Sequence, residues 1–168
     1  MDASYSRGPV HPEARIGHVH LKVSDLERAV DFYTRVLGFE VTQSDASAAF
    51  LSAGGYHHHI GLNTWQSRGG HPPAAGTTGL FHFAILYPTR LELAKALARL
   101  IEAGYPLDGA SDHGVSEAIY LHDPDGNGIE LYHDLPKEQW PHAPDGSINM
   151  YTHRLDLKAL LEEASAGG

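Results

Sequence analysis

The chain uses one structural grammar twice, and that repetition limits the folds open to it. From Ile16, IGHVHLKV alternates so that Val19, Leu21 and Val23 share one face and His18, His20 and Lys22 the other, the period of a strand. Ser24 and Glu27 then have the S-x-x-E spacing of a capping box. Leu26, Ala29, Val30, Tyr33 and Leu37 recur at helical intervals up to Gly38, a glycine stop. The second copy opens with LFHFAILY (80–87), repeats the capping box at Thr89 and Glu92, and carries Leu93, Ala96, Leu97, Leu100 and Ile101 to Gly104. Short extended runs follow each helix: FEVTQS, AAFLSA and YHHHIGLN in the first half, EAIYLHD and GIELYHD in the second. Each half reads β-α-β-β-β, and two such halves predict a pseudo-twofold pair with a cleft between them.

At 168 residues the chain has room for one core. The expected organisation is a single domain over 1–168: a first module at about 14–66, a linker at 67–79, a second module at about 80–134, and a tail at 135–168. The linker SRGGHPPAAGTTG is rich in Gly, Pro and Thr, and in the tail LDLKALLEEA (Leu155 to Ala164) has the pattern of a short amphipathic helix.

A formal net charge of −9 argues against nucleic-acid and anionic-membrane partners, which need clustered Lys and Arg. No apolar run approaches the ~20 residues of a membrane helix, and the N-terminal stretch has no apolar signal core, so a cytoplasmic location is expected. Cysteine is absent, whereas histidine occurs 13 times against 12 Lys and Arg. Disulfides and thiolate chemistry are thereby excluded, and a metal site here has to be built from histidine and carboxylate.

His18 and His82 occupy matching places in the two opening strands, and D-P-D-G-N-G-I-E-L-Y (123–132) closes the second module. Together with H-V-x-L-x-V-x-D-L-x-x-A-x-x-F-Y-x-x-V-L-G-F (18–39), these motifs resemble the vicinal oxygen chelate superfamily of glyoxalases, bleomycin-resistance proteins and extradiol dioxygenases. YHHHIGLNTW (56–65), the run from Gly109 to Asp134 and the tail through INMYTH look like its extradiol branch, typified by catechol 2,3-dioxygenase. The resemblance spans roughly 14–162. It implies an α+β fold in which the two paired βαβββ modules form a half-open mixed β-barrel around a metal cleft, with a short C-terminal helix. It also implies metal ligation by His18, His82 and Glu130. The branch's signature is matched by His113, Ile119, Tyr120, Asp123, Pro124, Gly126 and Glu130, with Ser111 a minor departure two residues before the histidine.

Two histidines and a carboxylate leave three positions of an octahedral ion open, as in non-heme Fe(II) oxygenases, so that a catechol and O2 can share one coordination sphere. The implied function is an Fe(II)-dependent extradiol dioxygenase acting on a small aromatic diol and O2, with a homodimer as the expected assembly. Alternatives are a glyoxalase-like isomerase, lyase or thiol transferase using Mn, Ni or Zn, and a non-catalytic binding module. His113 and Tyr120 would hydrogen-bond substrate oxygens. A lone strand histidine is ordinarily just a hydrogen-bonded residue; the symmetry of His18 and His82 is what favours ligation. His20 shares the face of His18 and competes for its role. DPDGNG has the order of a calcium loop, but strand-like flanks and Asp-Gly and Asn-Gly steps read as a hairpin turn.

The triplet in YHHHIGLNTW looks like a metal cluster. Strand alternation points His57 and His59 to one face and His58 to the other, so the three are not expected to converge. The resemblance assigns His59 as an acid–base group, for which an ordinary imidazole pKa of ~6.5 is suited.

Overall fold

The structure, a computed structural model, describes residues 8–166. Residues 1–7, part of the N-terminal stretch read above for a signal core, lie outside it. Both modules form. In the first, β1 (Val19–Lys22) leads into α1 (Leu26–Asp31), followed by β2 (Glu40–Ser44), β3 (Ala48–Ser52) and β4 (Ile60–Asn63). In the second, β5 (Phe83–Leu86) precedes α2 (Arg90–Glu102), β6 (Gly109–Asp112), β7 (Ser116–His122) and β8 (Gly128–Asp134). The tail adds β9 (His153–Arg154) and α3 (Leu157–Ala166).

Local sequence accounts for most of these limits. Thr89 caps α2 by accepting from the Glu92 backbone N–H, and Gly104 takes φ +62° just beyond its end. The first helix differs from expectation: Asp25, not Ser24, is the cap, its carboxylate accepting from the Arg28 N–H. Ser24 is drawn away by Asp125, which accepts from its backbone N–H and its hydroxyl. After Asp31, α1 widens into a π-turn over Phe32–Val36, closed by a Leu37 N–H to Phe32 C=O bond and by Gly38 at φ +87°.

Two sheets result, in the orders β1-β4-β3-β2 and β5-β8-β7-β6-β9. No ladder joins them, and β1 and β5 are edge strands, so the expected barrel is open. The parallel pairs run in matching register: Val19 opposes Ile60 in the first sheet, and Phe83 opposes Ile129 in the second. His18 and His82 therefore each sit one residue before the edge strand of their sheet. β9 was not anticipated. Two residues give no periodicity to read, yet they pair with β6 and extend the second sheet.

One core serves both modules, with Leu21, Leu51 and Leu62 from the first and Leu97, Ile119 and Leu131 from the second all buried together. Leu160 of α3 joins it, and Arg90 ties α3 to the second sheet by pairing with both Glu117 and Glu163. Across the modules, the buried Tyr33 hydroxyl donates to Asp123 at 2.9 Å, and Arg28 pairs with Asp125 at 2.8 Å. DPDGNG is the β7–β8 turn, as expected: Asp123 accepts from the Asp125 and Asn127 backbone N–H groups, which leaves its other oxygen for Tyr33 and the Asn127 side chain. Among the described residues no helix is long and apolar enough to cross a membrane.

Candidate metal centre and active site

At the second sheet, four side chains singled out by sequence meet in one line of polar contacts. His82 Nε2 lies 3.0 Å from Glu130 Oε2. Tyr120, directly opposite Glu130 in the β7–β8 register, donates its hydroxyl to Glu130 Oε1 at 2.9 Å. His113 Nε2 is 2.8 Å from the same hydroxyl. Burial, and then the Glu130 carboxylate accepting its hydrogen bond, push the Tyr120 phenol well above its ordinary value. It is therefore a proton donor throughout the neutral range.

The tail fixes the far end of this line. His113 Nδ1 is 2.9 Å from the Tyr151 carbonyl oxygen, which can only accept, so Nδ1 carries a proton. In the neutral ring Nε2 is then a bare acceptor facing Tyr120, and the single phenolic proton has two acceptors, His113 and Glu130. Gly114 makes room for this contact. It has φ +75°, and a Cβ there would stand 2.5 Å from the Tyr151 ring. Sequence reasoning missed Tyr151 and Gly114, because a backbone carbonyl leaves no residue-type signal.

On the first sheet the histidines are arranged differently from expectation. β4 begins only at Ile60, so the triplet is not strand and its expected alternation does not hold. His58 turns toward His18, with ring centroids 4.4 Å apart, and lies 5.1 Å from Phe50. Loss of solvent, then the neighbouring His18 and His57, hold the His58 ring below the ordinary histidine value. His57 Nδ1 contacts His58 Nδ1 at 2.8 Å, so one of the two rings donates to the other. His59 turns back toward β3, where its Nδ1 accepts from the Ala53 N–H and lies 3.2 Å from the Ser52 hydroxyl. That contact leaves the neutral ring's proton on Nε2.

The matched registers show why the first sheet has no carboxylate at the position equivalent to Glu130. Gly61 opposes His20 as Glu130 opposes Ala84, so Gly61 is the first-module counterpart of Glu130. Nor is there space for a side chain: a Cβ on Gly61 would lie 2.9 Å from the His20 ring. His20 covers that glycine and contacts Phe50 and Trp65, with centroids 5.9 and 5.5 Å away.

A divalent ion needs convergent donors. His82 and Glu130 present an imidazole nitrogen and a carboxylate oxygen to each other, a donor pair that suits Fe, Mn, Ni or Zn. His18 stays with His58, and among the described residues no three His, Asp or Glu side chains converge tightly enough to hold a metal. The donor chemistry of the expected set fits such an ion; His82 and Glu130 lie within 3.0 Å of each other, and His18 packs on His58 instead.

Fold and site define a class of protein. Residues 15–131 match the Glyoxalase/Bleomycin resistance protein/Dioxygenase superfamily, and the chain belongs to it. It is 45% identical over 155 residues to the catechol-2,3-dioxygenase of Bacillus subtilis (strain 168), a match covering 92% of this chain and 54% of that protein. The chain thus spans about half the length of that relative. It is also 31% identical over 158 residues to biphenyl-2,3-diol 1,2-dioxygenase 3 of Rhodococcus globerulus, covering 91% of this chain and 83% of that protein. A glyoxalase/dioxygenase structure from Nostoc punctiforme shares the fold, with a TM-score of 0.62 at 18% identity over 77% of this chain and 98% of its own.

Proposed function

We propose that the chain is an Fe(II)-dependent extradiol dioxygenase that opens a catechol-type ring with O2. The carrying observation is the line His113–Tyr120–Glu130–His82, with contacts of 2.8, 2.9 and 3.0 Å, in a chain similar over nearly its whole length to aromatic-diol dioxygenases. His82 and Glu130 would hold the iron, with His18 as third ligand once its ring leaves His58. Bound there, iron supplies open coordination positions for the two diol oxygens and O2, and a path for electrons between them.

The protein's own groups supply position and protons. Tyr120, protonated at neutral pH, donates a hydrogen bond at the ligand end of the site, and its link to Glu130 fixes that carboxylate's orientation. His113, with its tautomer set by the Tyr151 carbonyl, takes up or returns a proton through Nε2. His59 is the acid–base group of the first sheet; Ala53 orients its ring and leaves an Nε2–H to donate.

The test is anaerobic loading with Fe(II), then a catechol panel in air, following oxygen uptake and the yellow ring-opened product. Iron retained with no catechol consumed would shift the assignment to an isomerase or lyase of the superfamily. Glu130→Ala is expected to lose bound metal, read by metal analysis after gel filtration. Unchanged metal content would show that the ligand set is wrong.

A further inference from the structure

A groove of about 400 Å³ runs along the second sheet from the candidate centre, roofed by the linker at Pro72–Thr77. His82 and Tyr120 line one end. Asp108 and His122 line the other, and Phe81, 88% exposed, also lines the groove. Tyr120 and His122 are two residues apart on one strand, so the two ends are separated by about 7 Å. An aromatic diol held by its oxygens at the first end reaches the second with a ring substituent about two carbons long.

At that second end Asp108 is the only carboxylate among the described lining residues. Asp108 Oδ2 contacts His122 Nδ1 at 2.5 Å, and its other oxygen has no partner among the described side chains. Among the described residues no Lys or Arg lines the groove, and the chain carries a net charge of −9. An ammonium substituent would find a charge-assisted acceptor in Asp108, an alkyl substituent only apolar wall, and a carboxylate the like charge of Asp108. We infer that the groove selects catechols bearing a short ammonium-terminated side chain on the ring, and rejects carboxylate-terminated ones. This assignment rests on the extradiol reading for its placement of the diol, and Asp108 is its specificity-determining residue.

The test compares dopamine, ethylcatechol and homoprotocatechuate, by kcat/KM with the iron-loaded protein and by calorimetric affinity under anaerobic conditions. Dopamine is expected to exceed homoprotocatechuate by about tenfold in both. Asp108→Asn should shrink that ratio several-fold and Asp108→Lys should invert it. A carboxylate favoured over the amine, or a ratio that neither variant moves, overturns the inference. Should none of the three be consumed although iron is retained, the extradiol reading fails, and the calorimetric ratios alone then decide the groove by the same criteria.

Discussion

At the scale of single residues, the candidate centre depends on groups that orient one another. Tyr120 is the hinge of that arrangement, because its one proton lies between His113 and Glu130. Tyr120→Phe keeps the ring and removes the donor. It is expected to lower kcat by about 10²-fold with metal content unchanged, as the loss of one positioned hydrogen-bond donor does elsewhere. Gly114 acts at one remove. Gly114→Ala would place a Cβ against the Tyr151 ring and force an L-residue to a positive φ, at a cost on the order of 1–2 kcal/mol. Beyond a lower melting temperature, histidine ¹⁵N spectra should show the His113 proton leaving Nδ1. A variant that melts lower with the tautomer intact would mean that the tail stabilises the fold without positioning His113.

At the scale of elements, strand limits decide what the histidines do. β4 starts three residues later than the start of the triplet, which frees His58 to meet His18 and His59 to meet Ser52. The β2–β3 turn shows how a short polar motif sets such a limit. Asp45 accepts from the backbone N–H groups of Ser47 and Ala48 and from the Ser47 hydroxyl, and these bonds hold its carboxyl below the ordinary 3.8. A depressed folded-state pKa favours the charged form. Its stabilisation is complete above the unfolded-state value and is lost as pH falls through the folded one. The gap in stability between wild type and Asp45→Ala should therefore be constant at neutral pH and close below about pH 4, as measured by urea unfolding across pH. A gap that persists at pH 2 would exclude the carboxylate as its source.

At the scale of the whole molecule, the two modules share a pattern and differ in duty. Gly61 under His20 prevents a second carboxylate site, so the pseudo-twofold fold supports a single centre. The modules are held together by the Tyr33–Asp123 bond, buried and made to a side chain only 4% exposed. Tyr33→Phe leaves that carboxylate short of one donor, and should cost about 1.5–3 kcal/mol in one cooperative transition. A biphasic melt would show instead that the modules unfold separately.

Sequence by itself determined the paired β-α-β-β-β modules, the Thr89 cap, the glycine stops and the Asp123 turn. Each depends on periodicity or on a bond spanning a few residues, and such interactions are written locally. It also singled out His82, His113, Tyr120 and Glu130, which the fold brings into contact in the second module. Only tertiary structure decided the rest. Asp125 took Ser24 from its expected capping role across 101 residues of chain. The tail supplied a carbonyl to His113 and a fifth strand to the sheet, and the end of β4 turned His58 rather than His57 or His59 toward His18. These outcomes depend on backbone groups and on partners distant in the chain, which residue type and spacing do not encode.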